Sequence, residues 1–401
     1  MSLFKIKAKD SRGGVVSETI EAEGQRDVID ILRRRGLTIL GIEVAQAKGK
    51  GKASKKRVKT EDVVVFSRQL ATMVDAGLPL IEGLRTLHDQ IEHPGFRNVV
   101  AGVIVHVEGG NSFTEAIGKY PQVFGPFFIN MVRAGEASGQ LAEILNRIAE
   151  YLESTESLRR KIKMAMMYPG IVSAMAIVIT ILLFVKVIPV FEGIFADFGA
   201  DLPLPTKILI ILSKIFRQYF LLVVLAVIGM VMFLMHLKKT EKGKLVMDKI
   251  TFKLPVFGDL FKKVAVSRFA KTLGTLIASG VSILVAMDIV KEVSGNKLVE
   301  NAITNAAERI REGKSIEEPL QQSGVFPAMV TKMIGVGEKS GKLEEMLAKI
   351  AQYYDDQVNA LIAGLTSLIE PLLIGFLGII VGGIVISMFL PIFKLTAIIG
   401  G

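Results

Sequence analysis

The chain has 401 residues, half of them hydrophobic, with a formal net charge of +10 and neither cysteine nor tryptophan. The missing cysteines exclude disulfides, thiolate catalysis and cysteine metal clusters, and with no motif of interleaved basic and aromatic residues the positive charge does not read as a nucleic-acid surface. A mean hydropathy of +0.46 beside 22% charged residues points instead to membrane segments set among polar domains, for which the length allows two or three.

Phe4, Ile6 and Ala8 alternate with Lys5, Lys7 and Lys9, the period of a half-buried strand, and Asp10 to Gly14 supplies turn residues. Val15 to Ala22 is a second extended run. Val28, Ile31 and Leu32 take helical spacing up to Gly36, and Leu37 to Val44 is extended again. Residues 1–45 therefore read as a small ββαβ domain, either a docking module or a plain folded appendage. The N-terminus shows no apolar stretch of a signal peptide. Residues 46–59 carry seven basic residues and no acid. Such a segment is expected to be a flexible linker, solvated or lying on anionic headgroups.

Residues 60–168 read as a first helical bundle, opened by an N-cap at Thr60 with acids in its first turn. Gly77-Leu-Pro79, Pro94-Gly95 and Gly109-Gly110 punctuate it, and Ser112-Phe-Thr-Glu115 is a capping box. From Gly139 a long helix carries Leu141, Leu145, Ile148 and Leu152 along one face toward a basic cluster at Arg159 to Lys163. Residues 169–188 form a first span whose one charge, Lys186, can snorkel from its far end. A loop over 189–218 is expected before a second span at 219–237, which Lys238, Lys239, Lys242, Lys244 and Lys249 follow. Residues 238–370 form a second bundle, 371–393 a third span and 394–401 a tail. Basic clusters flank the first span before it and the second after it. The positive-inside rule thus puts the N-terminus and both bundles in the cytoplasm, with the loop and C-terminal tail outside.

The second half repeats the first. Phe66-Ser-Arg-Gln-Leu-Ala-Thr-Met aligns with Phe269-Ala-Lys-Thr-Leu-Gly-Thr-Leu at an offset of 203 residues. After one deleted residue near Tyr120 to Val123 the offset becomes 202, and Gly135-Glu-Ala-Ser-Gly-Gln-Leu141 falls on Gly337-Glu-Lys-Ser-Gly-Lys-Leu343. Pro169 falls on Pro371 and Pro189 on Pro391. Ser315-Ile-Glu-Glu318 repeats the capping box. Two copies of an all-α bundle of five or six helices, each ending in a span, make a duplicated membrane protein that is mainly α.

Chemistry is sparse. Gly313-Lys314-Ser315 lacks the earlier glycine of a phosphate loop, because position 308 is Glu308, and Gly341-Lys342 is followed by Leu343. His88, His93, His106 and His236 form no zinc pattern, so no metal, cofactor or catalytic residue is assigned. Glu370-Pro371 suits a helix start, an acid beside a proline in the first turn, better than a buried intramembrane acid. Gly378 and Gly382, and Gly170 and Ala174, have the four-residue spacing at which helices pack closely in lipid. The spans lack the polar lining of a pore or carrier, which disfavours a transporter.

The Phe66-Ser-Arg-Gln-Leu segment, the two Gly-Glu-x-Ser-Gly-x-Leu motifs, Met167-Tyr-Pro169, Glu370-Pro371 and Phe389-Leu-Pro-Ile-Phe-Lys394 together resemble the inner-membrane platform protein family (PilC/GspF) of type IV pili and type II secretion systems. The likeness covers nearly the whole chain, and the closing Pro-Ile-Phe-Lys-Leu is more similar to the pilus branch. It implies a non-enzymatic platform in the bacterial inner membrane, its C-terminus periplasmic, forming homo-oligomers among membrane lipids. It also implies partners: a cytoplasmic hexameric motor ATPase, pilin subunits, and other inner-membrane alignment proteins. On that reading Gly135, Glu136 and Gly139, with Gly337, Glu338 and Gly341, shape a partner-contact surface, and Arg68 joins them from the first copy only. Glycine and serine at an inter-helix turn can equally be punctuation.

Overall fold

The computed structural model describes residues 2–9, 15–22, 38–44, 58–197, 203–255 and 257–399. Three strands, β1 (Ser2–Lys9), β2 (Val15–Ala22) and β3 (Thr38–Val44), form an antiparallel sheet in the order β2-β1-β3. Phe4 pairs with Ile20 on one neighbour and Ile6 with Ile42 on the other, and the pairing with β3 shifts register between Lys7 and Ala8. The expected helix at Val28 to Leu32 and nearly all of the linker at 46–59 lie outside the described residues.

The first bundle is built from α1 (Thr60–Asp75), α2 (Leu80–Gln90), α3 (Pro94–Glu108), α4 (Phe113–Gly118), α5 (Pro121–Ser138) and α6 (Leu141–Leu182). A π-helical segment at Leu183–Val187 and α7 (Ile188–Asp197) continue α6 without a break. Then come α8 (Leu204–Leu237) and α9 (Glu241–Lys253). The second bundle follows as α10 (Phe257–Ala278), α11 (Ile283–Val293), α12 (Lys297–Arg311), α13 (Glu317–Gln322), α14 (Ala328–Ser340) and α15 (Leu343–Ile399).

The repeat is visible in the cores. The first helix of each copy packs along the long last one, α1 on α6 and α10 on α15. Leu70, Leu145 and Ile148 in one copy and Leu273, Leu347 and Ile350 in the other are completely buried. Burying a leucine or isoleucine side chain in this way stabilises by about 1.5–3 kcal/mol. The aromatic pair Phe66 and Phe124, centroids 6.1 Å apart, returns as Phe269 and Phe326 at 4.6 Å.

Among the described residues three helices are long and apolar enough to cross a membrane, lying within Leu141–Ile194, Leu204–Leu237 and Leu343–Pro391. They meet around Ile188, Ile210, Ile384 and Met388. The hydroxyl of Ser213 donates to the Phe184 carbonyl at 2.6 Å, where the π segment turns that carbonyl out of the helical ladder, and Thr206 donates to the Ser387 carbonyl. Away from lipid-excluded contacts such as these, α8 exposes apolar side chains from Leu221 to Met235, as a lipid-facing helix does.

Several boundary expectations need correction. Thr60 is the first residue of α1, not its cap; Lys59 is the N-cap, and its backbone N–H donates to Asp62 Oδ2 at 3.3 Å. Pro169 and Pro371 lie inside continuous helices and do not begin new ones, so the helix-start reading of Glu370-Pro371 fails; Glu370 is exposed. Proline lacks only one donor, and membrane helices tolerate it. The expected loop at 189–218 is largely helical, through α7 and the start of α8. The Ser112 capping box forms, but Ser315 does not cap its helix. Pro319 occupies the place of Ala116, whose N–H bonds to the Ser112 carbonyl at 3.0 Å. Without that donor the helix starts later, at Glu317, so the proline falls in a first turn that needs none.

Candidate functional site

The two Gly-Glu-x-Ser-Gly turns sit where each bundle hands over to its long helix. Gly139 and Gly341 adopt the left-handed conformation, with φ of 72° and 70°, and end α5 and α14. The next N–H, of Gln140 and Lys342, reaches back to the carbonyl of Gly135 and Gly337 at 2.9 Å in both copies. This is a Schellman closure, which ordinary side chains disfavour at the left-handed position. Gly135 and Gly337 are buried. A Cβ at Gly135 would lie 3.0 Å from Ile144 Cβ, and one at Gly337 would lie 2.9 Å from Leu343 Cα. Glycine here lets the outgoing helix lie directly against the incoming one.

The glutamates turn inward, half-buried. Glu136 accepts the N–H of Phe113 at 2.7 Å, the N–H of Thr114 at 3.0 Å and the Thr114 hydroxyl at 2.5 Å, so α5 caps the start of α4. Glu338 accepts the Ile316 N–H through both oxygens, at 3.1 and 2.9 Å. Ile316 is the repeat equivalent of Phe113, so Glu338 does in the second copy what Glu136 does in the first, while the added cap from a local serine is found in the first copy alone. Negative charge at a helix N-terminus is favoured by the exposed donors and the helix dipole together.

Arg68 on α1 forms a two-pronged ion pair with Glu153 on α6, both contacts 2.6 Å. The second copy has a counterpart: Lys271 pairs with Asp355 at 3.3 Å. The repeat offsets carry Arg68 onto Lys271 and Glu153 onto Asp355. Arginine bonding holds the Glu153 carboxyl below the usual carboxylate range, and the same bond raises Arg68. Lys271 also donates to Ser154 of the first copy, and Ser267 donates to Asp355.

These second-copy residues line a cleft of about 610 Å³ between the repeats, walled by Arg147, Glu150, Tyr151, Glu344, Asp355 and Asp356. Tyr151 is buried, stacked on Phe127 at 4.0 Å, and bonded to Thr272 Oγ1 of the other repeat at 2.8 Å. Thr272 already donates to the Arg268 carbonyl at 2.7 Å, so Tyr151 is the donor to Thr272. Burial pushes the Tyr151 phenol above its usual range, keeping it neutral. Among the described residues no group of three His, Asp or Glu side chains is placed to hold a metal ion. Tyr151 and Lys271 bond across the cleft, to Thr272 and Ser154 of the opposite repeat, so it works as a joint between the repeats.

The matched stretches have relatives. The family model for type II secretion system protein F matches residues 66–189 and again 269–391, and the model for that protein's N-terminal domain matches residues 1–43. The chain belongs to the type II secretion system protein F family. Among its relatives, the type IV pilus assembly protein PilC of Myxococcus xanthus is 46% identical over 342 residues, 85% of this chain and 82% of that protein. The type IV pilus assembly protein PilC of Thermus thermophilus is 41% identical over 403 residues, 98% of each. The type II secretion system protein F of Pseudomonas aeruginosa is 31% identical over 405 residues and the full length of both. The duplicated family match begins at Phe66 and Phe269, two residues before Arg68 and Lys271, so both ion-pair cations lie inside the repeated unit.

Of the residues singled out from sequence, the two turns and Arg68 are all placed in definite structural roles. Gly170, Gly378 and Gly382 face open space, with no atom within 4 Å of an added Cβ, and Ala174 is exposed, so these stripes make no helix contact inside the chain. Glu153, Lys271, Asp355 and Tyr151 escaped sequence reasoning. Reading the ion-pair partner of Arg68 through the repeat offset was the one signal that could have exposed the second pair.

Proposed function

We propose that the chain is the inner-membrane platform of a type IV pilus machine, coupling a cytoplasmic motor ATPase to insertion or removal of pilin at the filament base. The observation that carries this reading is that the last helix of each bundle is also a membrane-crossing helix: α6 continues through the π segment into α7, and α15 runs unbroken for 57 residues. A displacement of a bundle is passed to the membrane without an intervening loop. The protein does no chemistry of its own. Relatives named for type IV pilus assembly, at 46% and 41% identity, favour the pilus over the secretion assignment, the type II secretion relative standing at 31%.

In this reading both bundles face the cytoplasm and the C-terminus the periplasm, as the basic flanks of the spans favour. The exposed rims at Gly139-Gln140 and Gly341-Lys342 form the motor-facing edge, with Glu136, Glu338 and Arg68 behind them setting its shape. Gly170 with Ala174, and Gly378 with Gly382, open in the single chain, serve packing against a second copy. The decisive experiment pairs a gene deletion with reconstitution. Loss of surface pili in the deletion, and a purified chain that hydrolyses no ATP yet raises hydrolysis by the motor, are the expected results. Pili assembled normally without the chain, or a bundle open to protease from outside the cell, would overturn the proposal.

A further inference from the structure

The helix α9 lies between the second span and the second copy of the repeat, outside both duplicated family matches. Only Lys238, Lys239 and Thr240 separate it from the end of α8. The turn is tight: Thr240 Oγ1 accepts the Gly243 N–H at 3.2 Å, and a Cβ at Gly243 would lie 2.1 Å from the Leu237 carbonyl oxygen. The start of α9 is thereby fixed at the point where α8 leaves the bilayer.

One face of α9 is committed to the protein. Phe252 is buried, Asp248 accepts the Lys297 N–H at 2.6 Å, and Glu241 pairs with the Lys297 ammonium at 2.7 Å. Both acids of the helix are thus engaged by α12. The opposite side carries residues 242, 246, 249, 250 and 253 at the spacing of a helical stripe, and Leu254 follows as the C-cap; all six are exposed. Val246 and Ile250 are each 53% exposed and Leu254 is 45% exposed. Beside them run Lys242, Lys249 and Lys253, none of which has a carboxylate partner among the described residues. An apolar edge bordered by unpaired lysines, on a helix tethered at the end of a span, has the chemistry of an interfacial segment. Three exposed aliphatic side chains gathered beside three lysines form a patch of the kind that marks a contact surface.

We propose that the outward face of α9 docks on anionic phospholipid headgroups of the leaflet from which α8 emerges. Val246, Ile250 and Leu254 enter the boundary between headgroups and acyl chains, and Lys242, Lys249 and Lys253 pair with lipid phosphates. The second bundle is thereby held at a fixed height above the bilayer. The inference depends on α8 crossing a membrane and on nothing further in the platform assignment.

The chain contains no cysteine, so one introduced thiol is labelled uniquely. Full-length Ile250→Cys, carrying an environment-sensitive fluorophore, is placed in nanodiscs of phosphatidylcholine alone or with phosphatidylglycerol, each containing a lipid-borne quencher. Gln140→Cys, at the bundle end of α6, is the control. The expected result is several-fold stronger quenching at position 250 in the anionic discs than in neutral ones, weakened by salt, with little at position 140. Replacing Lys242, Lys249 and Lys253 by Gln removes the anionic preference. The proposal is overturned by a label at 250 that stays in water in anionic discs, by quenching unchanged in the glutamine variant, or by protection that appears only when a protein partner is added.

Discussion

The Arg68 guanidinium and the Glu153 carboxylate meet through two 2.6 Å hydrogen bonds, across 85 residues of sequence. A planar fork on a planar acid fixes the angle between α1 and α6 as well as their separation. In the second copy a lysine supplies a point charge, and Asp355 divides its oxygens between Lys271 and Ser267. Arg68→Lys therefore loses geometry while keeping charge. Because both side chains are more than a third exposed, the coupling from a double-mutant cycle with Glu153→Gln is expected to be about 0.5–1 kcal/mol. Denaturant unfolding of the full chain in detergent measures it, and Lys271→Arg should be nearly neutral by the same assay.

The same pair gives a pH dependence. Bonding to Arg68 depresses the folded Glu153 carboxyl, so its contribution to stability is complete above the unfolded value of about 4.3 and is lost as pH falls through the lower, folded value. The melting temperatures of wild type and Glu153→Gln should differ at neutral pH and converge in acid. A gap that widens on acidification would contradict the assignment.

The two buried motif glycines should not respond alike to alanine. At Gly135 the new methyl meets Ile144 Cβ and Cγ1 at 3.0 Å, of which only the outer carbon can turn away, whereas at Gly337 it meets the Leu343 backbone itself at 2.9 Å, the tighter contact, which yields only by moving α15. Overpacking costs about 1–3 kcal/mol, and Gly337→Ala is expected at the upper end with Gly135→Ala at the lower. Thermal unfolding orders them, and stimulation of the motor ATPase should fall in the same order.

Glu136 accepts from three donors in the first copy and Glu338 from one in the second. A charge-assisted bond contributes about 1.5–3 kcal/mol, and a buried N–H left unpaired adds to the loss, so Glu136→Ala should destabilise the chain more than Glu338→Ala. Glu136→Gln, which keeps one acceptor oxygen, should recover part of the difference. Equal losses at the two sites would show that the capping bonds are not what the motif supplies.

How much of this was readable beforehand follows from what each signal physically is. Apolar runs and their flanking lysines mark the spans because lipid demands a run of a certain length. The turns at Gly139 and Gly341 were legible because a left-handed cap tolerates few residues. Pro371 misled, since the same residue opens a helix in water and is carried within one in a membrane. Ser315 misled because Pro319, four residues on, lacks the backbone N–H that would bond to the Ser315 carbonyl and start the helix there. The Lys271 and Asp355 pair hid behind two conservative changes, arginine to lysine and glutamate to aspartate, that preserve charge while erasing the motif. The inward use of Glu136 could not be read from spacing, because its partners Phe113 and Thr114 lie on a different helix.

The uninterrupted α15 has a mechanical corollary. At 1.5 Å per residue its 57 residues make a rod about 85 Å long, so tipping it by about 5° around its midpoint swings each tip by roughly 4 Å in opposite directions. A rod of this kind converts a small rocking stroke at one extremity into a counter-stroke at the other, with the leverage decided by where along its length the bilayer grips it.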